Sequence, residues 1–166
     1  MANIIQLALR TVQFLMALLI MSLIGNAIAM GANSAINDYT MFCAAWAMLF
    51  LFYLLPVSFK EDMGIPIATF AIDLLTMLFW FCGAIALAAE LHVHSCNNHD
   101  YVSTNHVIRG ASDQKGACRE AQASTAFLWF GWAAFLVSTV LSGLGMRGAG
   151  APRSSGIRRG PAMSQV

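Results

Sequence analysis

Residues 65–89 read IPIATFAIDLLTMLFWFCGAIALAA, a run of 25 residues that carries a single charge, Asp73. An α-helix needs about 20 apolar residues to cross the ~30 Å hydrocarbon layer of a bilayer. Three further stretches of the same kind, 11–30, 39–59 and 122–144, are equally long and apolar. Backbone N–H and C=O groups have no water partners in lipid, so helices that satisfy their own hydrogen bonds are the expected form. The chain is therefore predicted to be an all-α membrane protein, a four-helix transmembrane bundle.

Composition agrees, because 58% of the 166 residues are hydrophobic and only 10% are charged, where a soluble domain usually carries about 25% charged residues. The spans and their connections use residues 1–146, which leaves room for one domain. The basic residues form no stripe that could track phosphates, so no nucleic-acid partner is expected.

The beginning of the chain imitates a secretory signal peptide: Arg10, an apolar run from Val12 to Ile24, then the small pair Ala27 and Ala29. The apolar character nevertheless extends over a full crossing, and removing it would leave an odd number of spans. It is read as the first helix. With both termini cytoplasmic, the inner surface holds six basic residues, Arg10, Lys60, Arg147, Arg153, Arg158 and Arg159, against three outside, Arg109, Lys115 and Arg119. That split follows the tendency of positive loops to stay inside.

Asp62 is expected to cap the third helix, and Pro66 suits its first turn, where a missing N–H costs little. Residues 147–166, rich in Gly, Pro, Ser and Arg, cannot bury enough apolar surface to fold alone. They are predicted to form a flexible basic cytoplasmic tail. Its arginines either lie near anionic head groups, at roughly 1 kcal/mol each, or are simply solvated. The final Ser-x-Val is a weak candidate for a peptide ligand of a cytosolic partner.

The outer loop, 90–121, contains Cys96 and Cys118, which this topology places in an oxidising compartment, so a disulfide is expected. Closing a loop of this length removes roughly 3 kcal/mol of denatured-state entropy. Cys43 and Cys82 lie within spans and read as packing residues. Glu90, His92, His94, His99 and His106 raise the question of a metal site. A cysteine already in a disulfide cannot ligate, and the histidines have no converging spacing, so titrating surface histidines are expected and no metal.

Asp73 lies in the inner half of its span, where an isolated charge costs several kcal/mol and must face other helices or water. Ser22, Ser138 and Thr139 fall at a similar depth on the first and fourth spans and are its expected partners in an interhelical polar contact. Small residues allow close helix approach in lipid. Gly25 and Ala29, Ala84 and Ala88, and the row Ala134, Ser138 and Ser142 are candidate packing positions, within the bundle or between copies of the chain. Trp46, Trp80, Trp129 and Trp132 lie too deep for an interfacial belt and would form an aromatic layer in the outer-leaflet half. Such a layer serves either core packing or contact with a sterol or sphingolipid.

The run His94, Ser95, Cys96, Asn97, Asn98, with Tyr101, Asn105, Ile108 and Gly110, then Cys118 to Ala123 and Ala126, Phe127, Leu128, resembles the fungal MARVEL-domain proteins of the non-classical export family. The terminal Ser164, Gln165 and Val166 are similar as well, whereas the arginines of the tail are more scattered than in that family. The resemblance implies a MARVEL-like bundle in plasma-membrane domains of the eisosome type. It also implies a part in organising furrow-like membrane, sensing of sphingolipid, indirect links to eisosome proteins and signalling kinases, and unconventional secretion. Bound sphingolipid or sterol in place of a cofactor, and a homo-oligomer, are the corresponding expectations.

An enzyme is not expected, since the chain has no C-x-x-C, no Gly-rich phosphate loop and no nucleophile with a base beside it. The alternative class is a small channel or transporter working through Asp73. It lacks support in internal repeats or helices broken at mid-membrane depth.

Overall fold

The computed structural model describes residues 2–59, 64–92 and 94–150. Five helices follow in order: α1 Ala2–Ala29, α2 Ala35–Phe59, α3 Pro66–Leu91, the short α4 His99–Thr104, and α5 Gln114–Gly150. Four of them, α1, α2, α3 and α5, are long and apolar enough to cross a membrane. The chain is an all-α four-span membrane bundle. α1 packs against α2 and α5, and α3 packs against the same two, so α1 and α3 face each other across the diagonal.

Two boundaries differ from the sequence reading. The first helix begins at Ala2, nine residues before Thr11, because Ile4, Ile5, Leu7 and Leu9 continue the apolar helix on the far side of Arg10. Arg10 is consequently an interior residue, 0% exposed, and not part of the inner surface charge. α5 begins at Gln114, and its backbone remains helical through Gly150, into the segment expected to be tail. Residues 151–166, with Arg153, Arg158, Arg159 and the terminal Ser-x-Val, lie outside the described residues, as do Lys60 and Asp62. The N-cap position of α3 is Ile65, which makes no side-chain cap bond, and Pro66 occupies the first turn.

The core is built from small and branched residues: Ala17, Ile20, Ile24, Ala44, Ala47, Leu51, Ala84, Leu87 and Leu128, with Trp80 and Phe135 as the largest rings. Alanines at the contacts let backbones approach, which is how helices gain dispersion energy in lipid. The outward faces stay apolar too, with Leu49, Phe52, Ile67 and Phe130 exposed. A bundle in a bilayer needs such a surface, and it would be a liability in water.

The connection between α3 and α5 is a folded cap over one end of the bundle. Asn98 accepts hydrogen bonds from the Asp100 and Tyr101 N–H groups and so starts α4. Val102, Val107 and Ile108 are buried beneath the cap. The Asn37 amide donates to the carbonyls of Ala32 (2.7 Å) and Val107 (2.9 Å), and the Ser112 N–H donates to the Met30 carbonyl (2.8 Å). Gly31 and Gly110, at φ +101° and +95°, lie back to back. A Cβ on Gly31 would sit 2.6 Å from the Gly110 carbonyl oxygen, so both the backbone shape and the close approach require glycine there.

Candidate functional site

The charged centre of the bundle lies in the half that holds the start of α1 and the α2–α3 connection. Arg10 is eight residues into α1 and Asp73 seven into α3, about 12 Å and 10 Å from the N-terminal ends of their helices at 1.5 Å per residue. The Arg10 guanidinium reaches across the diagonal and holds both carboxylate oxygens, Nη1 on Oδ1 at 2.5 Å and Nη2 on Oδ2 at 2.7 Å. Both side chains are fully buried. A two-point pair of this kind is strong and directional, and it is the form in which a charge becomes tolerable at that depth.

Two further groups complete the network. Ser142 of α5 donates to Asp73 Oδ2 at 3.2 Å. Gln13, one turn beyond Arg10, accepts from Arg10 Nη1 at 3.1 Å and donates to Ser138 Oγ at 2.7 Å and to the Ala134 carbonyl at 3.1 Å. α1, α3 and α5 are thus tied together by polar contacts in the same half of the bundle.

The expected partners of Asp73 need correction. Ser22 is exposed and returns its hydroxyl to the Leu18 carbonyl, because it points away from the bundle. Thr139 returns its own to Phe135 and lines an apolar groove with Phe70, Val140, Gly143, Leu144 and Met146. Ser138 belongs to the network but through Gln13. The sequence reading missed Arg10 and Gln13. Once α1 is extended to Ala2, one basic and one acidic residue stand at matching depth on two spans, and that coincidence was the available signal.

The packing positions divide by role. Ala134, Ser138 and Ser142 face the polar network, Ala84 is buried in the core, and Gly25 rests near Met41 of α2. Ala88 is half-buried and Ala29 exposed.

Trp46 meets Phe79, and Trp129 and Trp132 meet Phe81, the two neighbours of Trp80 on α3, so the four tryptophans lie close in depth but differ in exposure. Trp80 is 0% exposed and cannot touch lipid, which corrects its assignment as a lipid contact. Its indole N–H donates to the Cys43 carbonyl at 3.1 Å, its ring meets Phe135 edge-on at 5.2 Å, and it lies over Gly131, where any Cβ would collide with it. Trp46 packs among Phe42, Phe50 and Phe79 and donates to Thr76 Oγ1. Trp129 and Trp132 stack edge-to-face beside Phe81, and Trp129 is open to the surroundings of the bundle.

In the cap, Cys96 and Cys118 form a disulfide with a Cα–Cα distance of 5.7 Å. It fastens the start of the loop to α5, next to Tyr101, whose hydroxyl donates to the Leu91 carbonyl, and Gln122, whose amide donates to the His94 carbonyl. Burial pushes the Tyr101 hydroxyl above its ordinary value, so it stays a donor through the neutral range. His94 stacks on Tyr101 at 5.1 Å. No cluster of His, Cys, Asp or Glu suited to a metal ion occurs among the described residues. Replacing both cysteines by serine is expected to cost roughly 3 kcal/mol. Thermal unfolding in detergent should show a lower midpoint with the four-helix content retained at low temperature, while an unchanged midpoint would mean that the cap holds without its bridge.

Comparison with known proteins places this architecture. A family model for MARVEL, the membrane-associating domain, matches residues 3–141. Non-classical export protein 2 of Saccharomyces cerevisiae is 32% identical over 95% of this chain and 91% of its own length. Non-classical export protein 102 of Candida albicans is 42% identical over 52% of this chain and 51% of its own. The non-classical export protein 2 homolog of Schizosaccharomyces pombe is 26% identical over 82% and 71%. No solved structure matches the chain.

Proposed function

We propose, starting from the fact that this chain belongs to the MARVEL family of membrane-associating proteins and is homologous to the fungal non-classical export protein 2 group, that it is a non-enzymatic organiser of plasma-membrane domains. In this reading it shapes furrow-like, eisosome-type membrane, responds to sphingolipid or sterol content, and contributes to unconventional secretion. It acts by packing against lipid and against copies of itself, with signalling kinases affected indirectly.

The observation that carries the reading is how the polar groups are used. Asp73 has both oxygens engaged, by Arg10 and Ser142, which supports a structural tie and leaves no free carboxylate for an ion path. The bundle turns apolar and aromatic side chains outward along most of its length, with Trp129 and Phe130 in the outer-leaflet half. Such a surface suits lipid and protein neighbours in the bilayer.

The test is localisation of a fluorescently tagged chain in a fungal cell. It should concentrate in stable plasma-membrane patches that redistribute when sphingolipid synthesis is blocked. A uniform distribution indifferent to that block would contradict the reading. Proteoliposome ion flux abolished by Asp73→Asn would instead favour a transporter. Crosslinking in lipid nanodiscs should yield oligomers, and monomer alone would remove self-association.

A further inference from the structure

A groove between α3 and α5 lies open to the surroundings of the bundle, in the half that holds Arg10 and Asp73. Phe70, four residues after the start of α3, lines one side, and Thr139, Val140, Gly143, Leu144 and Met146 of α5 line the other. Val140 and Leu144 are 53% and 57% exposed, whereas Thr139 is almost buried, so the groove faces outward and does not lead into the core. Gly143 keeps it deep, since even a Cβ at that position would come within 3.3 Å of the Phe70 ring.

The walls offer no free hydrogen-bonding side chain. Thr139 gives its hydroxyl to the Phe135 carbonyl at 2.8 Å, and Ser142 beside it gives its own to Asp73. Whatever lies in the groove is therefore apolar along its length. The volume is about 590 Å³. Spread over the ~10 Å that helix α5 rises from Thr139 to Met146, it gives a section of about 60 Å², less than the roughly 80 Å² of a helix 10 Å across. A span from a second copy is too wide to enter, and a lipid tail is slender enough.

The end of the groove adds a charge. Arg147 follows Met146 on α5 and stands three, four and seven residues after Leu144, Gly143 and Val140, which puts it on the groove's side of the helix by register. None of the lining residues is acidic. An apolar channel that ends at a basic residue, just past the apolar run, matches a hydrocarbon tail joined to a negative head.

We propose that the α3–α5 groove binds an acyl chain of an anionic glycerophospholipid whose head group is drawn to Arg147. In the topology expected from the basic residues, this end of the bundle meets the cytoplasmic leaflet, where anionic lipids are concentrated. A chain seated there braces α3 against α5 beside the Ser142–Asp73 bond. The site goes beyond the membrane-organiser reading, whose sphingolipid or sterol response it neither requires nor explains.

Three photoactivatable probes test it on the full chain in nanodiscs: phosphatidylserine and phosphatidylcholine, each with a diazirine on one acyl chain, and a diazirine sterol. Phosphatidylserine should label peptides covering 66–72 and 139–146 above the rest of the spans. Phosphatidylcholine should label them about five-fold less, the advantage of one basic residue near an anionic head group, and Arg147→Gln should erase the difference. Gly143→Leu fills the groove and should remove the local labelling. Val140→Phe narrows it from an exposed position, where the larger side chain leaves the core undisturbed, and should do the same.

Labelling spread evenly over the four spans would mean ordinary surrounding lipid and would overturn the site. So would labelling indifferent to both groove variants, a sterol or phosphatidylcholine signal equal to that of phosphatidylserine, or a preference for phosphatidylserine that survives Arg147→Gln. None of these results bears on localisation in cells, which decides the membrane-organiser reading separately.

Discussion

Asp73→Ala should destabilise the bundle by about 3–5 kcal/mol, because it leaves the Arg10 guanidinium buried without its carboxylate. That is a large part of the 5–15 kcal/mol that holds a typical domain together. Arg10→Ala should cost a similar amount, since it strands the carboxylate instead. The double replacement Arg10→Met with Asp73→Leu should recover most of the loss, because it removes both charges and fills the space with apolar volume. Denaturant titration in mild detergent gives all corners of this cycle. Single variants that are each as stable as the double one would show that the two groups do not depend on each other. Gln13→Ala, which removes bonds to Ser138 and Ala134 but leaves the ion pair, should cost about 1 kcal/mol.

Trp80→Ala should be comparably severe in the outer half, at about 3–5 kcal/mol, since it empties a fully buried indole site and strips the donor from the Cys43 carbonyl. Gly131→Ala approaches the same contact from the other side. The added methyl would collide with the indole ring, and the helix must move or the ring must turn, at about 1–3 kcal/mol. Gly131→Ala should be partly rescued by Trp80→Leu, whose smaller side chain clears the space. Strict additivity of the two substitutions would mean that they do not meet. Tryptophan fluorescence in Gly131→Ala should shift relative to the parent chain if the ring is displaced.

The spans were legible because the bilayer imposes so simple a rule on sequence: length and apolarity are enough, as residues 65–89 show. The ends of helices were less legible. Nothing in a hydropathy run distinguishes an arginine at the membrane surface from one inside the bundle. A reading by hydropathy therefore sets Arg10 outside α1 and offers Asp73 only the hydroxyls of Ser22, Ser138 and Thr139 as partners. Helical phase decides such pairs, and phase is blurred in helices that are apolar on every side. Trp80 and Trp129 illustrate the same limit. They are alike in the sequence, yet one fills the core and the other faces outward, because Gly131 opens space for the first. The folded outer loop was legible in its cysteines alone. The backbone approach of Gly31 to Gly110 and the bond from the Asn37 side-chain amide to the Val107 carbonyl join residues 70 or more positions apart, and no local pattern encodes them.

Cysteine accessibility in intact cells probes the arrangement of the whole bundle in one step. In a chain with Cys43→Ala and Cys82→Ala, an impermeant maleimide should label Cys96 and Cys118 only after treatment with an impermeant reductant, with no need to permeabilise the cell. Labelling that requires permeabilisation would place the loop on the cytosolic face, and labelling without reductant would mean the two sulfurs are not joined. Either result would contradict a four-span bundle closed on its outer side by a bridged cap.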